Sequence, residues 1–376
     1  MPARVPIIAG CLLLSLALGT VHVFSVLLAE IEAALGASRG AASLTYSFAL
    51  MSLTVAVTFG HRAYHLLPGW GCAVVVVGIA VLGLVLAAGA GRIWVLWLGF
   101  GLIFGAANGL GYGYALQLSA QVWPGREGLA MGLVTAAYAI GATVAPPFLE
   151  AALAGGLRAA LLGLATAIGC AGLLAAMCLS AGKARFLPAQ AAAAGPFPWP
   201  AATGLWCVYG AAVLAGLMAI GHATEIAREL GGGPATALLA PSVIAICNMA
   251  GSLVGGAVID RFAVRPVAVS LPLMSTAALL WLAMGPGSGV LAALGLIGAT
   301  YGATIAAYPA LIARRYGVAA GARIYGVVFT AWGAAGLIGP LGAGAIFDRV
   351  GGYETALVAA AGFATASAVG AALRRH

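Results

Sequence analysis

The sequence has very little charge for its length. Of its 376 residues, 17 are lysine or arginine and 9 are aspartate or glutamate, so that 7% are charged while 63% are hydrophobic. A soluble domain has about a quarter of its residues charged, because its surface faces water. The shortage of charge excludes a soluble globular protein and indicates a chain whose surface faces lipid.

The chain also lacks the patterns that support catalysis. It contains no nucleophile–base pair, no metal-ligand spacing of catalytic type and no phosphate-binding loop, so we expect neither an enzyme nor an ATP-driven pump, and no cofactor. The basic residues are scattered singly, which argues against a nucleic-acid partner. All six cysteines fall in the apolar segments described next, where a disulfide framework is not expected.

Twelve apolar segments are long enough to cross a bilayer as helices, which takes about 20 residues. Their predicted limits are residues 5–29, 41–61, 69–90, 93–119, 128–150, 157–180, 203–227, 235–259, 266–285, 288–313, 322–346 and 353–373. Strands of a membrane barrel are excluded by the length of the segments and by the lack of strict alternation. The first segment is longer than the core of a signal peptide, so we expect a retained helix.

The distribution of lysine and arginine predicts the orientation, because these residues favour cytoplasmic ends. With a cytoplasmic N-terminus, twelve of them fall at inner ends and five at outer ends. We therefore expect a multi-pass protein of a bacterial-type inner membrane with both termini in the cytoplasm. The net charge of +8 then reflects topology and contact with anionic lipid headgroups.

The chain divides into two similar halves. Residues 181–202, "AGKARFLPAQAAAAGPFPWPAA", are the only long connection that does not look helical, and they predict a cytoplasmic linker between a six-helix bundle at 1–180 and another at 203–376. The fourth segment runs through "WPGREG" into "LAMGL", and the tenth runs through "ARRYGVAAGAR" into "IYGVV". Two six-helix halves are typical of transporters that alternate around a site at the midplane.

Two motifs add a family resemblance. The stretch "VWPGREGLAMGLVTAAYAIG" at 122–141 resembles the fourth-to-fifth helix junction of the oxalate:formate antiporter and monocarboxylate porter group of the major facilitator superfamily. "GGAVIDRFAVRP" at 255–266 resembles the loop signature of that superfamily, whereas the first-half copy, "FGHRAYHLLPG", lacks the aspartate. The resemblance implies an all-α membrane fold of two pseudo-symmetric bundles. It also implies a cytoplasmic gate at Gly256, Asp260, Arg261 and Arg265, for which simple interfacial anchoring is the alternative.

The resemblance also implies which residues line the substrate cavity. Ser252 and Trp332 stand where this group carries cations, and Asn248 with Ser252 replaces an Asp-Arg pair of monocarboxylate porters. Tyr112 and Tyr138 match aromatic cavity residues, and His22, Tyr301 and Phe329 stand where the antiporter has other aromatic residues. Ordinary packing is the alternative for the aromatic rings. A cavity without fixed cations favours a monocarboxylate or a neutral metabolite over a dianion such as oxalate.

Three ionisable side chains fall well inside the predicted spans: His22, His222 and Glu225. An intramembrane ionisable residue is a functional candidate, and histidine changes charge near neutral pH. We therefore expect these residues to include the site of proton coupling. His222 and His22 also belong to the expected substrate cavity, and hydration near the outer ends of their helices is the alternative for both.

Two other functions remain open at this stage. Met218, His222, Cys247 and Met249 combine soft sulfur with imidazole, which suits Cu(I) import, although such residues are also ordinary packing groups. A transporter-like sensor or assembly partner that does not transport is the alternative of another class. The main expectation is a monomer in a lipid bilayer that binds a small-molecule substrate.

Overall fold

The computed structural model describes residues 4–60, 62–123, 127–187, 197–231, 233–262, 264–285, 287–316 and 318–374. Within these ranges the side chains of 127–129, 256–261, 264, 310, 313 and 318–323 are outside the description. The described part is almost entirely helical and contains no strand.

The described α-helices are numbered in chain order. They are α1 Arg4–Gly19, α2 Phe24–Leu35, α3 Arg39–Gly60, α4 Gly69–Ala88, α5 Ile93–Leu96, α6 Gly105–Val122, α7 Glu127–Leu153, α8 Gly156–Ala181, α9 Trp199–Ile220, α10 Ala223–Glu229, α11 Pro234–Arg261, α12 Val264–Ala283, α13 Val290–Tyr316, α14 Val318–Val350 and α15 Glu354–Leu373. A 3-10 turn, Thr20–Val23, joins α1 to α2, another, Gly287–Gly289, precedes α13, and a π-helical stretch, Trp97–Phe104, joins α5 to α6.

Twelve helical segments of the described chain are long and apolar enough to cross a membrane, which confirms the prediction of twelve spans. They are Arg4–Leu35, Arg39–Gly60, Gly69–Ala88, Ile93–Val122, Ala130–Leu153, Gly156–Ala181, Trp199–Ile220, Pro234–Gly255, Arg265–Ala283, Gly287–Tyr316, Ile324–Val350 and Glu354–Leu373. The protein is therefore an integral multi-pass membrane protein. Its six cysteines are free thiols.

The seventh span is shorter than predicted. The apolar run predicts one helix over 203–227 that contains both His222 and Glu225, but α9 ends at Ile220 and α10 begins at Ala223. The break falls at Gly221 and His222, where His222 has a non-helical backbone (φ −121°, ψ 17°). Hydropathy alone does not detect this break, because apolar residues continue on both sides of it.

The chain forms two compact units. The first comprises Met1–Ala37 and Leu44–Gln190, and the second comprises Ser38–Ser43 and Ala191–His376. The first five residues of α3, 39–43, therefore belong to the second unit, and the rest of α3 belongs to the first.

Glycines allow a close helix contact in the first unit. A Cβ on Gly105 would overlap the backbone of Ala49, and a Cβ on Gly109 would overlap the carbonyl group of Leu53. Small residues spaced four apart let the backbones of membrane helices approach closely. Helix α6 can lie against α3 because these two positions carry no side chain.

The second unit repeats this contact. A Cβ on Gly298 would stand 2.6 Å from the carbonyl oxygen of Ile244, and a Cβ on Gly302 would overlap the carbonyl group of Asn248. The paired helices are now α13 and α11, again with two glycines four residues apart. Equivalent helices of the two units thus approach each other at two glycines four residues apart, which agrees with the predicted duplication.

Candidate functional site

The first unit contains a polar cluster around His22. This residue lies in the 3-10 turn between α1 and α2, and its Nδ1 atom is 2.7 Å from the hydroxyl oxygen of Tyr46. The imidazole ring also meets Tyr138 edge to face, with ring centroids 5.4 Å apart. Tyr46 and Tyr138 are buried, whereas His22 is only half-buried.

Asn108 joins this cluster from α6. The hydroxyl group of Tyr138 donates a hydrogen bond of 2.7 Å to its Oδ1 atom, and its Nδ2 atom donates to the carbonyl oxygen of Leu18 at 2.5 Å. Tyr112 stacks obliquely on Tyr138 with centroids 4.6 Å apart, and its hydroxyl oxygen lies 3.2 Å from that of Thr135. The structure thus brings together His22, Tyr112 and Tyr138 and adds Asn108, while the expected role of these residues as the lining of a substrate cavity stays a prediction.

The second unit contains an aromatic cluster around Trp332 of α14. The indole Nε1–H of Trp332 donates a hydrogen bond of 2.7 Å to the hydroxyl oxygen of Tyr301 in α13. Phe329 stacks on the indole with ring planes 5° apart, and Tyr325 contacts Phe329 in turn. Tyr301 and Trp332 are buried, and Phe329 is half-buried. The three predicted aromatic residues of this half therefore lie together.

The two clusters are built at equivalent helix positions. Asn108 directly precedes Gly109, and Tyr301 directly precedes Gly302, the second glycine of each close helix contact. Asn108 and Tyr301 therefore project from the same place on α6 and α13.

Their hydrogen-bond donors are also equivalent. Tyr138 lies eight residues before Pro146 in α7, and Trp332 lies eight residues before Pro340 in α14. In each unit, an aromatic side chain of the second helix donates a hydrogen bond of 2.7 Å to the residue before the packing glycine. The pair is a duplicated feature of the fold with different residues in its two copies.

Asn248 and Ser252 lie one turn apart on α11. The Ser252 hydroxyl donates a 2.9 Å hydrogen bond to the backbone carbonyl oxygen of Asn248. The Asn248 side chain lies against Gly302, because a Cβ there would overlap its Oδ1 atom. Both residues are half-buried, and their contacts are with α11 and α13 rather than with the ring of Trp332.

His222 lies in a separate network at the break between α9 and α10, outside the membrane-spanning segments. Its Nδ1 atom is 2.9 Å from the hydroxyl oxygen of Tyr353, and its Nε2 atom is 2.9 Å from the carbonyl oxygen of Pro340 and 3.3 Å from Oγ of Ser43. Burial lowers the pKa of His222 to about 4. The hydrogen bond to the Pro340 carbonyl and the charge of Asp348 raise the pKa and oppose this shift, whereas the charge of Arg39 adds to it. The imidazole is therefore neutral at pH 7.

Arg39 extends this network. Its guanidinium group donates a hydrogen bond of 2.6 Å to the hydroxyl oxygen of Tyr353 and lies 4.5 Å from the ring centroid of Phe347. The Asp348 carboxylate accepts hydrogen bonds from the backbone N–H groups of Arg39 (2.9 Å) and Gly40 (2.8 Å). A carboxylate that accepts from the first N–H groups of a helix acts as its N-cap and complements the helix dipole. Asp348 therefore caps α3 from the end of α14.

Glu225 lies at the edge of the same network. Its carboxylate is 2.5 Å from NH1 of Arg228 on the same short helix and 3.8 Å from NH1 of Arg39. Glu225 and Arg39 are largely buried, with 12% and 10% of their side-chain surfaces exposed. Glu225 is thus paired with cations and is not part of an apolar span.

The predicted cytoplasmic gate falls mostly outside the described side chains. Nothing is described for the side chains of Gly256, Asp260 and Arg261, and the gate stays a prediction. Arg265 is exposed and donates a hydrogen bond to the carbonyl oxygen of Ala372 in α15.

The four residues considered for copper lie in different surroundings. Both ring nitrogens of His222 face oxygen atoms, and the Cys247 sulfur lies 3.1 Å from the place where a Cβ on Gly295 would stand. Met218 is buried in α9, and Met249 is half-buried in α11. Among the described residues, no three of His, Cys, Asp or Glu lie close enough together to hold a metal ion.

Comparison with known proteins gives two remote sequence relatives and many structural ones, while no family model matches the chain. The chain is 26% identical over 349 residues to an uncharacterized MFS-type transporter, YhjX, of Escherichia coli K12, with 86% of this chain and 83% of that protein covered. It is 28% identical over 303 residues to an uncharacterized 38 kDa protein from the 23S RNA operon of Thermoproteus tenax, with 79% and 75% covered.

Solved transporters have the same fold. A bacterial homologue of the human lysosomal transporter Spinster, inward-facing and unoccupied, superposes with a TM-score of 0.73 at 14% identity over 98% of this chain and 96% of its own. A point mutant of the nucleoside transporter NupG superposes with a TM-score of 0.72 at 13% identity over 97% and 98%. The chain therefore has the fold of major facilitator transporters, two pseudo-symmetric six-helix bundles, and its structural neighbours are transporters and not enzymes.

Proposed function

We propose that the chain is a secondary transporter that moves a small organic solute by alternating access, coupled to a proton or to exchange. The duplicated hydrogen-bonded pair is the observation that carries the proposal: Tyr138 with Asn108 in one unit, and Trp332 with Tyr301 in the other. Tyrosine and tryptophan each offer a large apolar face and one polar atom, which suits recognition of a small organic molecule.

The solute in this proposal is a monocarboxylate or a neutral metabolite, as the resemblance to the oxalate:formate and monocarboxylate porter group implies. Every lysine and arginine of the sequence lies between spans or within three residues of the end of a span. A dianion would need two positive partners, because an uncompensated charge away from water costs several kcal/mol. The clusters around His22 and Trp332 offer hydroxyl, amide, imidazole and indole groups instead.

His22 is the coupling residue in this proposal. It is half-buried, and its one described hydrogen bond is made by Nδ1, to Tyr46. His222, in contrast, has both ring nitrogens engaged with oxygen atoms of its own network. A proton on His22 would also supply the single positive charge that a monocarboxylate requires.

Uptake into proteoliposomes tests the proposal. The purified chain is reconstituted and offered formate, lactate, oxalate, a nucleoside and Cu(I), with and without an inward proton gradient. Uptake of a monocarboxylate or a neutral solute is expected. Uptake of oxalate or of Cu(I) alone would contradict the solute class, and binding in a thermal-shift assay without any uptake would support a sensor.

A further inference from the structure

A short non-helical strap follows the last helix of the first unit. Residues 182–187, here called the strap, alternate in exposure: Gly182, Ala184 and Phe186 are buried, whereas Lys183, Arg185 and Leu187 are exposed. The strap begins as a turn, with a helical backbone at Gly182 and a left-handed one at Lys183 (φ 52°). It exposes two cations and a leucine.

The strap is held in place by contacts within the first unit. The backbone N–H of Gly69 donates a 2.9 Å hydrogen bond to the carbonyl oxygen of Ala184, and the ring of Phe186 lies against Tyr64, with centroids 5.2 Å apart. The side chain of Gln121 exchanges two hydrogen bonds with the backbone of Leu187, of 2.8 and 3.0 Å. The positions of Lys183 and Arg185 are therefore set by the fold and do not depend on a free linker.

A groove of about 280 Å³ lies beside these cations. Pro68, Trp70 and Ser180 line it together with Lys183 and Arg185. One neighbouring span ends at Ala181 and another begins at Gly69, so the groove lies at the level where hydrocarbon gives way to headgroups. Trp70 is exposed there, as expected for a tryptophan at a membrane interface.

No carboxylate among the described side chains pairs with the cations of the groove. The chain contains no aspartate or glutamate from residue 33 to 126 or from 151 to 224. Within the described part of the chain, neither Lys183 nor Arg185 forms an ion pair. The positive charge of the groove is therefore available to a ligand.

We propose that the strap and the first turn of α4 bind the headgroup of an anionic phospholipid. The phosphate lies against Lys183 and Arg185, and the upper acyl chain lies along Trp70 and Leu187. Free phosphate has no apolar part that could contact these exposed side chains, whereas a phospholipid has acyl chains, so the site is assigned to lipid. The orientation predicted from the charge distribution puts the groove on the cytoplasmic side, where anionic lipid attracts basic residues.

Native mass spectrometry of the full-length protein tests this site. Delipidated protein in neutral detergent is mixed with phosphatidylglycerol or phosphatidylcholine, and the occupancy of the first bound lipid is titrated. Wild-type protein is expected to prefer phosphatidylglycerol. Each of Lys183→Gln and Arg185→Gln is expected to weaken that preference about fivefold, and the double variant about 30-fold.

The matched control removes two charges elsewhere in the same unit. Arg92→Gln with Arg158→Gln changes two exposed arginines at the ends of other spans and is expected to leave the preference intact. The proposal is overturned if the strap variant keeps its preference, if the control loses it equally, or if millimolar inorganic phosphate displaces the lipid. The two single variants decide the question if the double variant does not fold.

Discussion

The Nδ1 atom of His222 lies 2.9 Å from the hydroxyl oxygen of Tyr353, and this contact fixes the protonation of the ring. Arg39 can only donate to the Tyr353 oxygen, so the hydroxyl proton is free to point at Nδ1. The carbonyl group of Pro340 can only accept, so Nε2 carries the hydrogen of a neutral imidazole. With a second proton on Nδ1, the Tyr353 oxygen would have to accept from both Arg39 and His222, and its own proton would lose the Nδ1 acceptor.

The stability of the protein is therefore expected to fall as the pH falls from about 6.5 to 4. An unfolded histidine takes up its proton near pH 6.5, whereas His222 does so only near pH 4 in the folded chain. Above the unfolded pKa, the neutral His222 contributes up to about 3 kcal/mol to the free energy of unfolding. This contribution is lost as the pH falls toward the pKa of the folded state. Thermal unfolding in detergent at pH 7, 6, 5 and 4.5 measures the effect.

His222→Gln and His65→Gln form the matched pair for this measurement. His65 is exposed in the connection between α3 and α4, so its replacement is expected to leave the pH profile unchanged. His222→Gln lowers stability at pH 7 and flattens the profile. An unchanged slope in His222→Gln would show that other groups cause the acid sensitivity.

Tyr353→Phe is expected to destabilise the protein by about 1–3 kcal/mol. The substitution keeps the buried ring but removes the hydroxyl that serves both His222 and Arg39. Two polar groups then lose a partner in a site that excludes water, and this costs more than the single bond would suggest. Thermal unfolding measures the change, with Tyr316→Phe at the end of α13 as the control. Equal melting temperatures for both variants would contradict the assigned network.

Gly109→Ala is expected to destabilise the first unit, whereas Gly78→Ala is not. A Cβ at 109 would overlap the backbone of Leu53 in α3, and overpacking of this kind costs about 1–3 kcal/mol. Gly78 is helical and has nothing within 4 Å of the same position, so alanine there gains up to about 1 kcal/mol of helix propensity. The comparison uses melting temperature and the yield of monodisperse protein. Equal behaviour of the two variants would refute the close α3–α6 contact.

The spans were predictable because each depends on a property that a single sequence displays, namely a long apolar run. Tyr112, Tyr138 and Trp332 were singled out for a different reason, the resemblance to a transporter group, in which Trp332 stands where that group carries a cation. Their part in binding solute stays a prediction. The break at Gly221 and His222 was not predictable from hydropathy. It depends on partners distant in sequence, such as Tyr353, which satisfy the polar groups that the break exposes.

Asn108 was not among the predicted site residues, although the sequence around it indicates a buried polar contact. It stands in the run "AANGLGYGYA" and is one of three amide side chains in the span Ile93–Val122, with Gln117 and Gln121. An amide inside a membrane span usually has a buried partner. Nothing in the sequence indicates that Asn248 packs against Gly302, because this contact depends on how closely α11 and α13 approach.

Trp332→Phe is expected to raise the KM for uptake at least severalfold while leaving the fold intact. The substitution keeps an aromatic face beside Phe329 but removes the indole N–H that bonds to Tyr301. Net hydrogen bonds of this kind contribute about 1 kcal/mol, which corresponds to a factor of about five. Trp281→Phe, an exposed tryptophan of α12, is the control. A KM unchanged in both variants would remove this cluster from solute recognition.

His22→Gln is expected to abolish the pH dependence of uptake, because glutamine keeps a polar group near Tyr46 but cannot change charge. Initial rates in proteoliposomes are measured from pH 5 to 8 at saturating solute, with and without a proton gradient. Wild-type rates are expected to respond to the gradient, and the variant to retain exchange but lose stimulation by protons.

His222→Gln separates this role from a structural one. Its neutral imidazole at pH 7 holds a break between helices, so the variant is expected to melt earlier yet to keep a gradient-stimulated rate in the fraction that remains folded. If His222→Gln loses the stimulation and His22→Gln keeps it, the coupling proton belongs to the Tyr353 network and His22 only packs. If neither variant changes the response, neither imidazole carries the proton, and Glu225 is the remaining candidate of the three for this role.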